Sequence, residues 1–210
     1  MLSSTLKTVT RWAPGAAGRL HAAALELFLE QGFSTTTVPQ IAERAGLTTR
    51  SFFRYYADKR EVLFAGEDEL PRVVEQIFQD ADPELSPMDV IHIGLKTVVI
   101  PRLQPFRDEF LIRRTIVHSD EGLQERELRK LAILHRAAAA AFTRRGLSPL
   151  DANISGRLAV TVYDTTLDIW LADDVELPLH DILDNVLRAL AHTTSSTTVG
   201  SSDLSVAGPA

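Results

Sequence analysis

Residues 32–64 read GFSTTTVPQIAERAGLTTRSFFRYYADKREVLF, and the punctuation of this stretch decides the fold. Gly32 stops an apolar run at helical spacing, Leu20, Ala24, Leu27 and Phe28, as glycine commonly does at a helix C-terminus. Thr37-Val-Pro-Gln has the form of a capping box, with Pro39 in the first turn, where its missing N–H does no harm. The spacing predicts a second helix from Val38 to Ala45, ended by Gly46, and a third, capped by Thr48, to Tyr55 or Tyr56. A fourth, capped by Asp58, opens at Lys59 and continues to Asp80. Ala42 is small where the short helices would cross, and Ile41, Leu47, Phe52 and Tyr56 anchor a three-helix core. Two short helices about Ala45-Gly46-Leu47 make a helix-turn-helix, whose second short helix enters the major groove of DNA.

The polar residues of that unit suit the task. Thr49, Arg50, Phe53 and Arg54 fall near the N-terminal half or on one side of the third helix. Arg50 can read guanine through two hydrogen bonds, and Thr49 can touch a base edge or a thymine methyl. Thr36, Thr37 and Lys59 stand at helix N-termini, where N–H groups and hydroxyls grip phosphate, and Thr48 opens the third helix beside them.

Composition agrees. The 210 residues carry a net charge of -6, but up to Arg60 eight basic residues face four acidic ones, leaving +4 there and -10 in the remainder. A basic N-terminal piece on an acidic body is the pattern of a nucleic-acid module joined to something else. No apolar run approaches the ~20 residues of a membrane span, and no secretory signal is visible before Trp12. The absence of cysteine excludes a disulfide scaffold, a thiol nucleophile and a Cys-ligated zinc site, and a cytoplasmic location is expected. There is no GxSxG, HExxH, P-loop or GxGxxG, and no two histidines stand at i,i+3 or i,i+4. An enzyme, a metal and a cofactor are therefore not expected.

Beyond residue 80 the chain reads as all-α. Ser86-Pro-Met-Asp and Ser148-Pro-Leu-Asp share a serine cap, a first-turn proline and an early aspartate. With a weaker start at Ser119-Asp-Glu, they predict helices over 86–103, 106–118, 120–145, 148–172 and 178–193, the first broken or kinked by Pro101 and Pro105. The expected organisation is a flexible arm (1–13), a helix-turn-helix domain (14–58), a larger helical domain (59–194) and a disordered tail (195–210).

From Arg19 to Phe64 the chain resembles the TetR family of transcriptional regulators. The resemblance lies in Ala23-Ala24-Leu25-Glu26-Leu27-Phe28, Gly32-Phe33, Thr36-Thr37-Val38, Ile41-Ala42, Ala45-Gly46-Leu47, Phe52-Phe53-Arg54-Tyr55-Tyr56 and Lys59. It implies that Thr49–Tyr55 form the recognition helix and that Lys59 contacts phosphate. Phe53 departs by lacking the hydroxyl of a tyrosine frequent there, and Tyr55 stands where histidine or tyrosine is usual. The resemblance also implies an all-helical C-terminal domain that dimerises through its last two long helices and binds a small effector. Leu150, Ile154, Leu158 and Val162 form one apolar stripe there; Leu179, Ile182, Leu183, Val186, Leu187 and Leu190 form another. Either could face a partner or the intrachain core. Phe78, Phe106, Phe110, Tyr163 and Trp170 are candidates to line an effector pocket, with His92, Thr115 and His118 as polar contacts. Asp164 and Asp168 share a helical face, open to a cationic ligand or to Arg113, Arg114 or Arg157.

The reading is thus a homodimeric, ligand-responsive regulator, a repressor released from a pseudo-palindromic double-stranded DNA operator by a small molecule. Helix four, continuous from Lys59 into the acidic body, is the expected link between DNA and pocket. An activator or an effector-independent regulator is the runner-up, and a helical protein-interaction adaptor is the alternative of another class.

Overall fold

A computed structural model describes residues 15–66, 69–172, 175 and 177–195. The expected arm over 1–13 lies outside the described residues, and so does the expected tail apart from Ser195, which closes the last helix. The described residues contain α-helices and no strand. The first four helices are α1 (Ala16–Gln31), α2 (Val38–Arg44), α3 (Thr49–Phe53) and α4 (Glu61–Phe64). Next come α5 (Leu70–Asp80), α6 (Pro87–Gly94), a π-helical turn (Leu95–Val99) and α7 (Ile100–Leu103). A 3-10 turn at Gln104–Phe106 leads into α8 (Arg107–His118), α9 (Glu121–Arg144), α10 (Pro149–Trp170) and α11 (Leu179–Ser195). No helix among the described residues is long and apolar enough to cross a membrane.

The repeated serine-proline grammar builds the same cap twice. Ser86 Oγ accepts from the Asp89 N–H at 3.3 Å and donates to the Asp89 carboxylate at 2.6 Å; Ser148 does the same with Asp151, at 3.2 and 2.6 Å. Asp120, rather than Ser119, caps α9, accepting from the Leu123 N–H at 3.1 Å.

Two expectations change. The fourth helix does not run from Lys59 to Asp80: Ala65 turns extended (ψ 133°) and Gly66 adopts φ +89°, ending α4 after one turn. Ala65-Gly66 is a helix-terminating pair, and Pro71 opens α5 in the first turn, where proline is tolerated. Nor does Pro101 break the helix before it. Lacking an N–H, it leaves the preceding turn free to widen, and the Ile100 N–H reaches five residues back to Leu95 O.

Two hydrophobic clusters result. The first joins α1 to α4 and takes in Ile116, Val117 and Leu123 from α8 and α9. It includes Val62, Leu63 and Phe64, so α4, assigned to the larger unit by a division at residue 59, packs with the smaller. The second cluster lies among α5, α6, α7, α9, α10 and α11. Leu179, Ile182 and Leu183 are no more than 1% exposed within it. They are intrachain core, which corrects their expected place at a dimer interface: the inward face of α11 meets α10 of its own chain. Leu158, Val186, Leu187 and Leu190 are half-buried against the same cluster, whereas Leu150 and Ile154 are exposed.

The layer of α9 and α10 depends on one glycine. A Cβ added at Gly156 would stand 2.9 Å from the Ala139 backbone nitrogen and 3.1 Å from the His135 carbonyl oxygen. Backbone cannot yield as a flexible side chain does. Alanine is better than glycine in a helix by ~1 kcal/mol, but overpacking a rigid contact costs about 1–3 kcal/mol. Gly156→Ala should therefore lower the denaturation midpoint despite its propensity; a chemical-denaturation curve unchanged or shifted upward would contradict this packing.

Candidate nucleic-acid interface

The turn between α2 and α3 is fixed by Gly46 at φ +65° and by a Leu47 N–H to Ala42 O bond of 2.8 Å. With five residues, α3 needs outside support. Thr48 supplies its N-terminal cap, accepting from the Ser51 N–H at 3.1 Å. Phe52 is fully buried, with the rings of Phe53 and Tyr56 each centred 5.5 Å away. The Tyr56 hydroxyl donates to Ala17 O at 3.1 Å, and burial pushes its pKa up to about 12. Anchored on that side, α3 turns Thr49, Arg50, Phe53 and Arg54 to solvent.

The arginines of this unit are not equivalent. Arg44 is held on α1 by Glu26 at 3.3 Å and Glu30 at 2.8 Å. Arg54 donates to the Tyr55 hydroxyl at 2.8 Å, its guanidinium 4.8 Å from that ring's centre. Arg50 is exposed, with no hydrogen-bond or ion-pair partner among the described residues. At the start of α2, Thr37 is exposed, and its N–H and hydroxyl both donate to Gln40 Oε1, at 2.8 and 2.9 Å.

Two expected phosphate contacts are occupied within the chain. Thr36 is 1% exposed; its hydroxyl donates to Gly32 O at 2.8 Å and lies 3.3 Å from Leu27 O. The Lys59 ammonium donates to Phe33 O (2.6 Å), Thr36 O (2.9 Å) and Ser34 O (3.1 Å), 4.3 Å from the Phe33 ring centre. All three of its donors are used, and burial lowers its pKa. Lys59 precedes α4 instead of opening it and locks the 33–36 turn that presents Thr37.

The unit is fastened to the body through α4. His21 Nδ1 donates to Val62 O at 3.1 Å, and its Nε2 faces Glu109 of α8, also at 3.1 Å. Arg113 Nε donates to Leu63 O at 2.8 Å, while its Nη2 meets Glu127 of α9, which also accepts from the buried Lys130. Burial alone would raise the Glu127 pKa, but Arg113 and Lys130 outweigh it and hold the carboxylate below its usual range. The guanidinium groups of Arg113 and Arg126 both stand over the Phe64 ring, 4.8 and 4.7 Å from its centre, and Arg126 pairs with Glu61 at 2.5 Å.

The expected effector residues are dispersed. Phe78 and Tyr163 line an apolar groove of about 120 Å³ between α5 and the wall formed by α6, the π turn, α7, α9 and α10. Phe110 and Tyr163 line a polar cavity of about 90 Å³ that also meets His21, Glu109, Arg113 and Lys130. The two spaces share Leu70, Leu103 and Tyr163. The other candidates lie outside both spaces. Trp170 is packed in the second core, its ring 6.2 Å from Phe110, and Phe106 stands at the N-cap of α8. His92 bonds Asp184 at 2.8 Å, joining α6 to α11. The Thr115 hydroxyl donates to Leu111 O at 3.1 Å, and His118 ends α8, exposed. Asp168 is paired with Arg114 at 3.6 Å. Sequence reading missed Val73, Val74, Ile77, Leu95, Val99 and Arg102 at the groove; the i, i+3, i+4, i+7, i+8 spacing of Leu70, Val73, Val74, Ile77 and Phe78 was the available signal.

Residues 20–65 match the family described as bacterial regulatory proteins, tetR family. Among curated proteins, the chain is 40% identical over 65 residues to the HTH-type transcriptional regulator HbdR of Aromatoleum sp. (strain CIB), covering 27% of this chain and 28% of that protein. It is 59% identical over 39 residues to the HTH-type transcriptional regulator TcmR of Streptomyces glaucescens, covering 19% and 17%. The matches thus span less than a third of either relative. Solved structures extend the likeness to the whole fold. Thermus thermophilus FadR, a TetR-family repressor in complex with lauroyl-CoA, is similar with a TM-score of 0.54 at 22% identity, over 92% of this chain and 100% of that one. Bacillus subtilis FadR in complex with stearoyl-CoA gives 0.54 at 16%, over 82% and 96%.

Arg50 and Lys59 should fail differently. Arg50→Ala should leave stability unchanged and weaken a cognate duplex by about 1–3 kcal/mol more than a scrambled one. Lys59→Ala strips a charged donor from three carbonyls and should lower the unfolding free energy by about 1–3 kcal/mol. Denaturation curves and a salt series on both duplexes separate the two. A Lys59→Ala protein of wild-type stability with a shallower salt slope would return Lys59 to phosphate.

Proposed function

The chain belongs, through residues 20–65, to the tetR family of bacterial regulatory proteins, and from that premise we propose that it is a homodimeric transcriptional repressor released from DNA by a small molecule. The observation that carries the DNA reading is the solvent face of α3. Thr49, Arg50, Phe53 and Arg54 point outward from a helix whose opposite side is anchored by Phe52, and Arg50 has no partner among the described residues. A single five-residue helix reads few bases, so two copies related by a twofold axis are needed to specify a site. The proposed reading set is Thr37, Thr48, Thr49, Arg50, Phe53, Arg54 and Tyr55.

Ligand response is supported by the apolar groove, and by the acyl-CoA complexes of the two FadR proteins that share the fold. The repressor role rests on the description of the Thermus protein. The route from groove to DNA runs through α4 and not along one continuous helix: α5 lines the groove and follows α4 after residues 65–69. A ligand that shifts α5 acts on the carbonyls and the Phe64 ring by which the reading unit is held.

Dimerisation is assigned to the outward face of α10 with the half-buried edge of α11. Leu150 and Ile154 are 69% and 48% exposed, large apolar side chains one helical turn apart; Leu158, Val186, Leu187 and Leu190 supply the rim.

Two measurements test the proposal. Footprinting should show a pseudo-palindrome whose half-sites lie one helical turn of DNA, or a multiple of it, apart; protection of one asymmetric half-site by one subunit would sink it. Leu150→Glu combined with Ile154→Glu should leave the helical circular dichroism intact and convert a sedimenting dimer to monomer. A wild-type chain that sediments as monomer at micromolar concentration would refute the dimer.

A further inference from the structure

The apolar stripe of α5 is left half-covered. Leu70, Val73, Val74, Ile77 and Phe78 lie on one face and line the groove, and no residue of this helix is fully buried; Ile77 and Phe78 also pack against the second cluster, the Phe78 ring 4.7 Å from that of Phe142. From Leu70 to Phe78 is eight residues, ~12 Å of helix, and the space beside them is only about 120 Å³. That is of the order of the ~150 Å³ apolar cavity known to take up benzene. The lining follows α5 for that length, so a linear chain can lie along the stripe, its first few carbons filling the present space and the remainder requiring α5 to make room. At Ile77 α5 sits directly on α6: a Cβ on Gly94 would stand 2.3 Å from Ile77 Cγ2.

The lining fixes polarity. Of its sixteen residues fourteen are aliphatic or phenyl, one is Tyr163 and one is charged, Arg102. Arg102 is exposed, and its guanidinium meets only neutral acceptors, Gln76 Oε1 at 2.8 Å and Val98 O, with no carboxylate partner among the described residues. The charges of the neighbouring polar cavity are matched already: His21 faces Glu109, and Arg113 and Lys130 share Glu127. An anionic group is therefore better accommodated at Arg102, whose planar fork suits carboxylate or phosphate. The wall at this point contains the π turn, which places both Leu95 and Val99 on the groove.

Resting on the reading of a ligand-responsive regulator, we propose that the ligand is a linear amphiphile, an alkyl chain in the slot between α5 and the α6–α10 wall with an anionic head group held by Arg102. The test is calorimetric titration of the full chain with four twelve-carbon probes below their micelle concentrations: laurate, dodecyl phosphate, dodecanol and dodecyltrimethylammonium. At least one anionic probe should bind about tenfold or more tighter than dodecanol, and the cation weakest. Comparing laurate with dodecyl phosphate assigns the head group. Arg102→Gln should bring the anions to the level of dodecanol and leave dodecanol unchanged, and Arg102→Lys should recover part of the preference. Val74→Trp, at a half-buried position on α5, should fill the slot and abolish uptake of all four with the helical signal retained. Equal affinity for laurate, dodecyl phosphate and dodecanol, or an anion preference that survives Arg102→Gln, would overturn the proposal. Duplex binding is measured on the same proteins. A chain that binds its operator but none of the probes defeats this inference alone; one that takes an anionic probe through Arg102 but binds no duplex defeats the DNA reading alone.

Discussion

The two carbonyls of Val62 and Leu63 hold the molecule together across its functional divide. A helix of four residues cannot satisfy its own backbone, and α4 lends these two acceptors to opposite sides: Val62 O to His21 on α1, Leu63 O to Arg113 on α8. Phe64, 2% exposed, is gripped by two guanidinium groups from α8 and α9. The orientation of α1 to α3 relative to the body therefore depends on one helical turn. Its polar fastenings are directional, whereas the first hydrophobic cluster around it is not, so the cluster supplies cohesion and the α4 contacts supply angle.

Those fastenings need buried charge. Lys130 is 7% exposed, and Arg113 is mostly covered. Glu127 between them makes the arrangement tolerable, since two cations brought out of water without a carboxylate would cost several kcal/mol each. Apolar residues of the same volume would pack at least as stably but would not fix the Arg113 fork on Leu63 O while its other end holds α9. The lock at Lys59 follows the same logic on the DNA side, where an ammonium that could have met phosphate instead gathers three carbonyls of a turn. Its effect there is to hold the turn that presents Thr37.

How much of this was legible in the sequence varied with the range of the interaction. Helix starts were plain, because a serine cap with a first-turn proline is a local device, and Ser86 and Ser148 both use it. The Gly46 turn and the outward set on α3 were legible for the same reason. What failed was non-local or rested on one missed breaker. Reading past Ala65-Gly66 fused α4 to α5 and hid the groove, although the stripe from Leu70 to Phe78 was visible. Burial could not be apportioned on α11, where Leu183 and Leu190 share a stripe yet only the first is fully enclosed. The aromatic candidates are dispersed by the fold: Trp170 is core, while Phe78 and Tyr163 line the groove beside aliphatic side chains of α5 and the π turn. The fate of Lys59 could not be read either, because the carbonyls that hold it lie 23 to 26 residues away.

The same geometry constrains how a ligand could be sensed. A ligand shifts a conformational equilibrium only by its difference in affinity for the two states, so the groove must differ between them. The element best placed to differ is α5. None of its residues is buried, it begins five residues after the helix that sets the angle of the reading unit, and a positive-φ glycine stands between the two. Filling the groove covers the α5 stripe at ~25 cal/mol per Å² of apolar surface, a gain available only where α5 makes room. The opposing restraint is local, the α4 carbonyls and the Phe64 ring, and Leu70, Leu103 and Tyr163 border both the groove and the polar cavity beside that restraint. On the proposed reading, coupling between ligand and DNA needs no long path: the side chains that would touch the ligand already border the space around the joint.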